Sequence, residues 1–238
     1  MIDVMQSRNI KQECACIVER YHKRAKKDKS SFYSMAAPSC AISHFERNEK
    51  ILRILTNEFG YDFIDKQYLE VGCGTGTNLL QLILWGINPK NVQGCDIFEP
   101  SLKTAKTRLP NYIELQEGNF LDCTYELESF DCIIFSTVFS SILDKNFRSE
   151  CMGFAYKLLK PGGMVLVYDF VFNNPSNKDV SKVDFKELAS GLPWTKMHSE
   201  RITLAPPLAR RLEKVPFLIR LLTKFKLLNT HKLGVFIK

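Results

Sequence analysis

Short apolar runs bounded by glycine, proline and acidic residues alternate with stretches of helical apolar spacing along most of this chain. Tyr68 to Val71 is a compact apolar run, and Leu79, Leu80, Leu82, Ile83 and Leu84 follow it closely, which predicts a strand and then a helix. The unit then repeats. Val92 to Asp96 predicts a second strand and Glu99 to Leu109 a second helix; Tyr112 to Gln116 predicts a third strand. Asp131 to Ser136 is nearly all apolar, as a strand buried on both faces should be. Asn146 to Leu159 predicts a helix, Met164 to Phe170 a fifth strand, and Ile202 to Leu204 and Leu233 to Ile237 a sixth and seventh. Such alternation predicts an α/β, doubly wound, mostly parallel sheet.

Before the first strand the pattern is helical. Residues 6–29 are helix-prone and end in a charged run, and Ser30 to Cys40 lacks periodicity and reads as a loop. Ser43 and Glu46 have capping-box spacing, and the helix they would open carries Phe45, Ile51, Leu52, Ile54, Leu55 and Phe59 before Gly60 stops it. The expected organisation is an N-terminal helical extension over residues 1–60 and a main domain over 61–238. Near the other end, Leu208 to Leu228 mixes apolar and basic residues, with Pro216 expected to divide it into two helices.

The chemistry concentrates where the first strand meets its helix. Gly72, Gly74 and Gly76 stand at every second position, and Glu70 lies two residues before the first. Glycines at such a corner allow positive φ and let a ligand approach a backbone without a Cβ. The helix beyond offers free N–H groups and a positive dipole end, so the corner reads as a nucleotide-type site. The dinucleotide fingerprint spaces its glycines G-x-G-x-x-G, and here the third glycine arrives one residue early.

Glu-x-Gly-x-Gly-x-Gly resembles the first motif of the class I S-adenosylmethionine-dependent methyltransferases, and the turn Leu158-Leu-Lys-Pro-Gly-Gly163 also resembles that class. The resemblance implies a Rossmann-like seven-stranded sheet whose last strand runs antiparallel between the fifth and sixth, under an N-terminal helical lid. It implies S-adenosylmethionine as cofactor, held by Glu70, Gly72, Gly74, Gly76, Asp96, Ile97, Asn119, Phe120 and Ser136. Asp96 would accept both ribose hydroxyls and Ile97 would lie on the adenine. Asn119 stands where the family usually has an acid facing the adenine amino group. The loop from Ser136 to Asp144 would lie beneath the sulfonium. Tyr21, Arg24 and Tyr33 would reach the methionine end from the lid.

A narrower resemblance joins Thr137 to Asp144, Tyr168 to Phe170 with Asn173, Asn174 and Pro175, and Leu204 to Leu212 to a bacterial group associated with cell-surface polysaccharide biosynthesis. It implies methylation of a glycan hydroxyl, which benefits from a general base. Ligands of such sheets sit outside the carboxyl ends of the strands, so Asp169 is the expected base, with His44 and His198 as alternatives. Tyr168, Asn173 and Asn174 would hold sugar hydroxyls. Arg210 and Arg211 suit a phosphate of an activated or lipid-linked sugar if they face the cleft.

Composition narrows the partners. Residues 191–238 hold ten Lys or Arg against two Glu, whereas residues 61–190 are net acidic. Basic flanks beside an acidic core suggest a phosphorylated substrate or an anionic surface, including peripheral membrane contact. The chain shows no secretory signal and no apolar stretch of membrane-spanning length. Its eight cysteines lack CxxC spacing and read as free thiols of a cytoplasmic protein, with no metal site. An RNA methyltransferase and a non-catalytic cofactor-binding partner of an assembly remain alternative readings.

Overall fold

The computed structural model describes residues 2–26, 34–173 and 177–238, with side chains from residue 9 onward. In chain order the elements are α1 (Ile2–Ala25), α2 (Pro38–Phe59), β1 (Tyr68–Val71), α3 (Thr77–Leu84), β2 (Val92–Asp96), α4 (Glu99–Arg108), β3 (Glu114–Glu117), β4 (Phe130–Ser136), α5 (Lys145–Leu158), β5 (Leu159–Phe170), α6 (Phe185–Ala189), β6 (Lys196–Leu204), α7 (Pro206–Arg211), α8 (Pro216–Thr223) and β7 (Asn229–Ile237). The seven strands form one sheet in the order β3-β2-β1-β4-β5-β7-β6. β7 runs antiparallel to both neighbours, and the other pairings are parallel. This is the expected sheet, including the inserted last strand.

Period-two alternation along the strands makes two cores. Leu69, Val71, Ile133, Phe135, Val165 and Val167 face α1, α5 and α6. Tyr68, Cys132, Ile134, Met164, Leu166 and Tyr168 face α2, α3 and α4. A smaller cluster of Ile42, Leu204, Ala209 and Ile219 joins α2 to α7 and α8.

The two helices of the expected N-terminal extension are both present. α2 is a layer of the second core, with Leu55 fully buried there, and α1 alone crosses the carboxyl edge of the sheet. The expected capping box is displaced. α2 begins five residues earlier, with Pro38 in its first turn; Ser43 Oγ donates to the Ser39 carbonyl at 2.9 Å, and Glu46 Oε2 accepts from Thr203 N at 3.1 Å. Local spacing suggested a cap, but proline's fixed φ already supplied a start.

β5 is longer than its apolar run because it follows α5 without a loop and carries a bulge opposite Phe130 and Cys132. Gly163 is required there, since a Cβ would stand 3.0–3.1 Å from the carbonyl oxygens of Lys160, Asp131 and Phe130. Among the described residues no helix is long and apolar enough to cross a membrane.

Because α2 is core, Leu55→Ala should lower the unfolding free energy by about 2–5 kcal/mol, read by denaturant titration. A detachable lid would leave it unchanged.

Candidate functional site

The glycine corner is tied to β2 by side chain and backbone together. Gly74 N donates to Asp96 Oδ2 at 2.7 Å, Phe98 N donates to Asp96 Oδ1 at 2.7 Å, and Cys73 N donates to the Cys95 carbonyl at 3.0 Å. Gly72 and Gly74 adopt φ of 68° and 55°. Around Gly74 nothing lies within 4 Å of where a Cβ would stand, whereas at Gly72 a Cβ would meet Val138 Cγ2 at 2.6 Å. Asp96 is partly buried, and burial raises its carboxyl above the usual range, opposed by the two amides it accepts. Each oxygen keeps a second lone pair for an incoming hydroxyl.

Beside the corner lies a cavity of about 240 Å³. Val71, Gly72, Gly74, Asp96 and Ile97 form one side; Asn119 and Phe120 form another; Ser136, Thr137, Val138 and Ser141 make the floor after β4. Ile17 and Tyr21 of α1 complete the enclosure. The helix is clasped onto the β4 loop: Arg20 donates to the Ser141 carbonyl at 3.0 Å, Leu143 N donates to Glu13 Oε1 at 2.7 Å, and Arg24 donates to the Asp179 carbonyl at 3.1 Å. Tyr21 packs on Phe98 with ring centroids 5.6 Å apart. Thr137 holds φ of 58°, costly for a β-branched residue, with its amide bonded to the Tyr168 carbonyl at 2.7 Å.

On the opposite face a second polar group gathers around Arg47 of α2. It donates to Asn78 Oδ1 at 2.7 Å, lies 3.5 Å from Ser136 Oγ, and has its guanidinium carbon 5.3 Å from the Tyr168 ring centre. Asn78 donates to Glu70 Oε1 at 2.6 Å, while Glu70 Oε2 is buried with no partner among the described residues. Burial pushes the Glu70 carboxyl up to about 8. Tyr168 stacks on His231, whose imidazole is pushed down to about 3 by burial, with Arg47 adding to the effect.

Several expected site residues lie elsewhere. Glu70 does not line the cavity; it points to the other face because it alternates with Val71. Gly76 serves packing, since a Cβ would come 2.6 Å from Leu109 Cδ1 of the segment after α4. Asp169 is not an open base: it is fully buried, Oδ2 accepts from Ser140 N at 3.0 Å and Oδ1 from Phe170 N at 2.8 Å. It clamps the end of β5 to the β4 loop, and burial raises its carboxyl to about 6. Tyr168 faces away from Asp169 and bonds Thr203 Oγ1 at 2.9 Å.

Asn173 is exposed and accepts from Lys182 N at 2.8 Å. Asn174, Pro175 and Tyr33 lie outside the described residues. Arg210 and Arg211 sit at the end of α7, apart from the cavity walls. His44 bonds Asn48 at 2.8 Å, and His198 is exposed on β6. Sequence reading missed Ile17, Phe147 and Cys151 as cavity walls. Their helical apolar spacing announces a core, and only the packing of α1 and α5 turns part of that core into a wall.

Residues 69–163 match the family model described as a methyltransferase domain. Over that segment, less than half of its length, the chain is similar to a methyltransferase domain. Outside that segment the likeness thins. A sterol 24-C-methyltransferase of Candida albicans is 29% identical over 146 residues, 56% of this chain and 36% of that protein, so the chain spans about a third of that relative's length. The fold is that of an S-adenosylmethionine-dependent methyltransferase from Mesorhizobium loti, with a TM-score of 0.54, 16% identity, and 73% and 91% of the two chains covered. A phosphoethanolamine N-methyltransferase of Haemonchus contortus, solved with S-adenosyl-L-methionine, has a TM-score of 0.51 at 21% identity, covering 72% of this chain and 48% of its own.

The residues around the glycine corner fit that cofactor. The space above Gly74 admits a ligand that a side chain would displace, and Asp96 offers acceptors for a pair of hydroxyls. Asn119 lines the cavity with an amide whose oxygen accepts only a long 3.4 Å bond from Leu121 N.

Two outcomes follow. Gly74→Val should abolish S-adenosylhomocysteine binding in calorimetry while the protein stays folded, whereas Gly76→Val should lower its thermal stability as well. Glu70 binds its proton in the folded state up to about pH 8, against an ordinary value of 4.5. The folded state therefore holds more protons between those values, and stability should fall as pH rises through that window. Glu70→Gln should flatten the curve of unfolding free energy against pH.

Proposed function

We propose that this chain is an S-adenosylmethionine-dependent methyltransferase that methylates a hydroxyl of a sugar in a surface glycan or its phosphorylated precursor. The roofed cavity beside Asp96 and the glycine corner carries the donor half of this reading. The acceptor half rests on the likeness of Thr137 to Asp144, Tyr168 to Phe170 with Asn173, and Leu204 to Leu212 to the polysaccharide-associated group.

S-adenosylmethionine supplies, when bound, a methyl group made electrophilic by its sulfonium. Asp96 would bind the ribose, Asn119 and Phe120 would border the adenine, and Tyr21 would close the pocket. A cavity of about 240 Å³ is smaller than the ~300–1,000 Å³ of typical ligand sites. The clasp of α1 on Ser141, Leu143 and Asp179 borders the space that donor and acceptor would share.

Asp96 is the single carboxylate among the cavity-lining residues, and no histidine is among them. Since Asp96 is committed to the corner, the chain's part in the reaction is to aim the acceptor and exclude water.

Tyr21→Ala should weaken S-adenosylhomocysteine binding about tenfold, or 1.4 kcal/mol, by opening the pocket to water. Mass spectrometry of glycans from cells with and without the gene should differ by one methylene per acceptor. Absence of S-adenosylhomocysteine binding would reject the donor assignment. Binding with identical glycan masses, or methylation of RNA in its place, would reject the acceptor alone.

A further inference from the structure

The segment between β6 and β7 presents a surface that the transfer reaction does not use. α8 is amphipathic, but it is seated with only one side on the protein. Ile219 and Thr223 are buried, and Ile219 packs with Ile42, Leu204 and Ala209. On the far side Phe217 is 64% exposed, Leu221 44% and, just past the helix, Phe225 57%. Phe217 and Leu221 stand four residues apart, about 120 to 160° around the helix from the buried pair, and Phe225 follows just past its end. Leu227, 86% exposed, extends the apolar surface. On the seated side, partly buried Leu222 packs beside Ile219.

The stripe is bordered by cations. Lys214, Arg220 and Lys224 are exposed and make no ion pair among the described residues. Glu213 is the acid of this stretch, and its carboxylate is taken by Ser39 Oγ at 2.5 Å. A short helix with large apolar side chains toward solvent, ringed by unneutralised Lys and Arg, has the chemistry of a segment that lies in the headgroup region of an anionic bilayer. Soluble surfaces seldom leave contiguous large apolar groups uncovered without a partner.

Position strengthens the case. Leu204 pairs with Asn229 and Phe170 with His231, so β6 ends and β7 begins at the edge where β5 ends. The insert carrying α8 therefore rises from the carboxyl edge of the sheet, the edge at which the cavity lies.

We propose that α8 and the turn after it, from Lys214 to Leu227, form a peripheral docking surface for a membrane rich in anionic lipid, with Phe217, Leu221 and Phe225 inserted among the headgroups and Arg220 and Lys224 paired with lipid phosphates. The assignment is independent of which acceptor is methylated. It does bring the cavity edge toward the lipid surface, where an acceptor anchored by a lipid would be met.

Vesicle sedimentation with the full chain tests this. Vesicles of phosphatidylcholine with phosphatidylglycerol should sediment the protein, vesicles of phosphatidylcholine alone should carry at least about tenfold less, and the bound fraction should fall with added salt. Replacing Phe217, Leu221 and Phe225 together by Ser should lower the partition coefficient at least about tenfold, and R220Q with K224Q several-fold. Both variants should keep the wild-type thermal midpoint and S-adenosylhomocysteine affinity, which separates lost docking from lost folding. Failure of the wild type to sediment with anionic vesicles would overturn the proposal. So would equal binding by the triple Ser variant, or a concentration-dependent dimer that the same three replacements dissolve.

Discussion

The carboxylate of Asp96 holds the walls of the cavity together. Its two oxygens accept amides from two different loops, Gly74 after β1 and Phe98 after β2. The glycine corner could adopt many conformations on its own, because each glycine there tolerates both signs of φ. Short bonds at 2.7 Å to a half-buried anion select one of them, and charge-assisted hydrogen bonds of this kind are stronger than neutral ones. Loss of the carboxylate would therefore free the corner as well as remove an acceptor. The same residue sets the shape of the pocket and faces its contents.

A buried carboxyl group at the sheet's edge has to be satisfied by its neighbours, and the means differ on the two faces. On the cavity side Asp169 is satisfied by backbone amides and takes no part in an open cleft. On the other side Glu70, Arg47 and Asn78 form a chain that ends at Ser136, a residue of the cavity floor. Arg47 comes from α2, so that core helix is coupled through polar contacts to the cavity it does not line. Glu70 keeps one oxygen without a partner, and its raised proton affinity follows from burial beside a single amide donor and a guanidinium that is itself shared.

The antiparallel insertion of β7 has a consequence for the surface. A strand that turns back between β5 and β6 must enter from the carboxyl edge, so the connection from β6 is forced to the end of the sheet where the pocket lies. That connection holds α7 and α8. Its buried residues are few, and its exposed face is apolar and basic. Topology thus places an apolar and basic surface at the same edge of the sheet as the cavity.

From its sequence alone this chain declared strand-and-helix alternation, the glycine corner, and the acid at the end of the second strand, because period-two and helical spacing and glycine's backbone freedom are local properties. The lysine-proline-glycine-glycine turn was legible for the same reason. Which side of a strand faces the pocket was decided by tertiary structure. Tyr168 and Asp169 are adjacent in sequence, yet alternation sends them to opposite faces, and burial converts Asp169 from a candidate base into a clamp. Spacing made α1 and α2 look like equal parts of one extension, but the core recruited α2 and left α1 across the cavity. Residues such as Ile17 and Cys151 became walls only because distant helices met over one gap, a long-range packing outcome that no local pattern encodes.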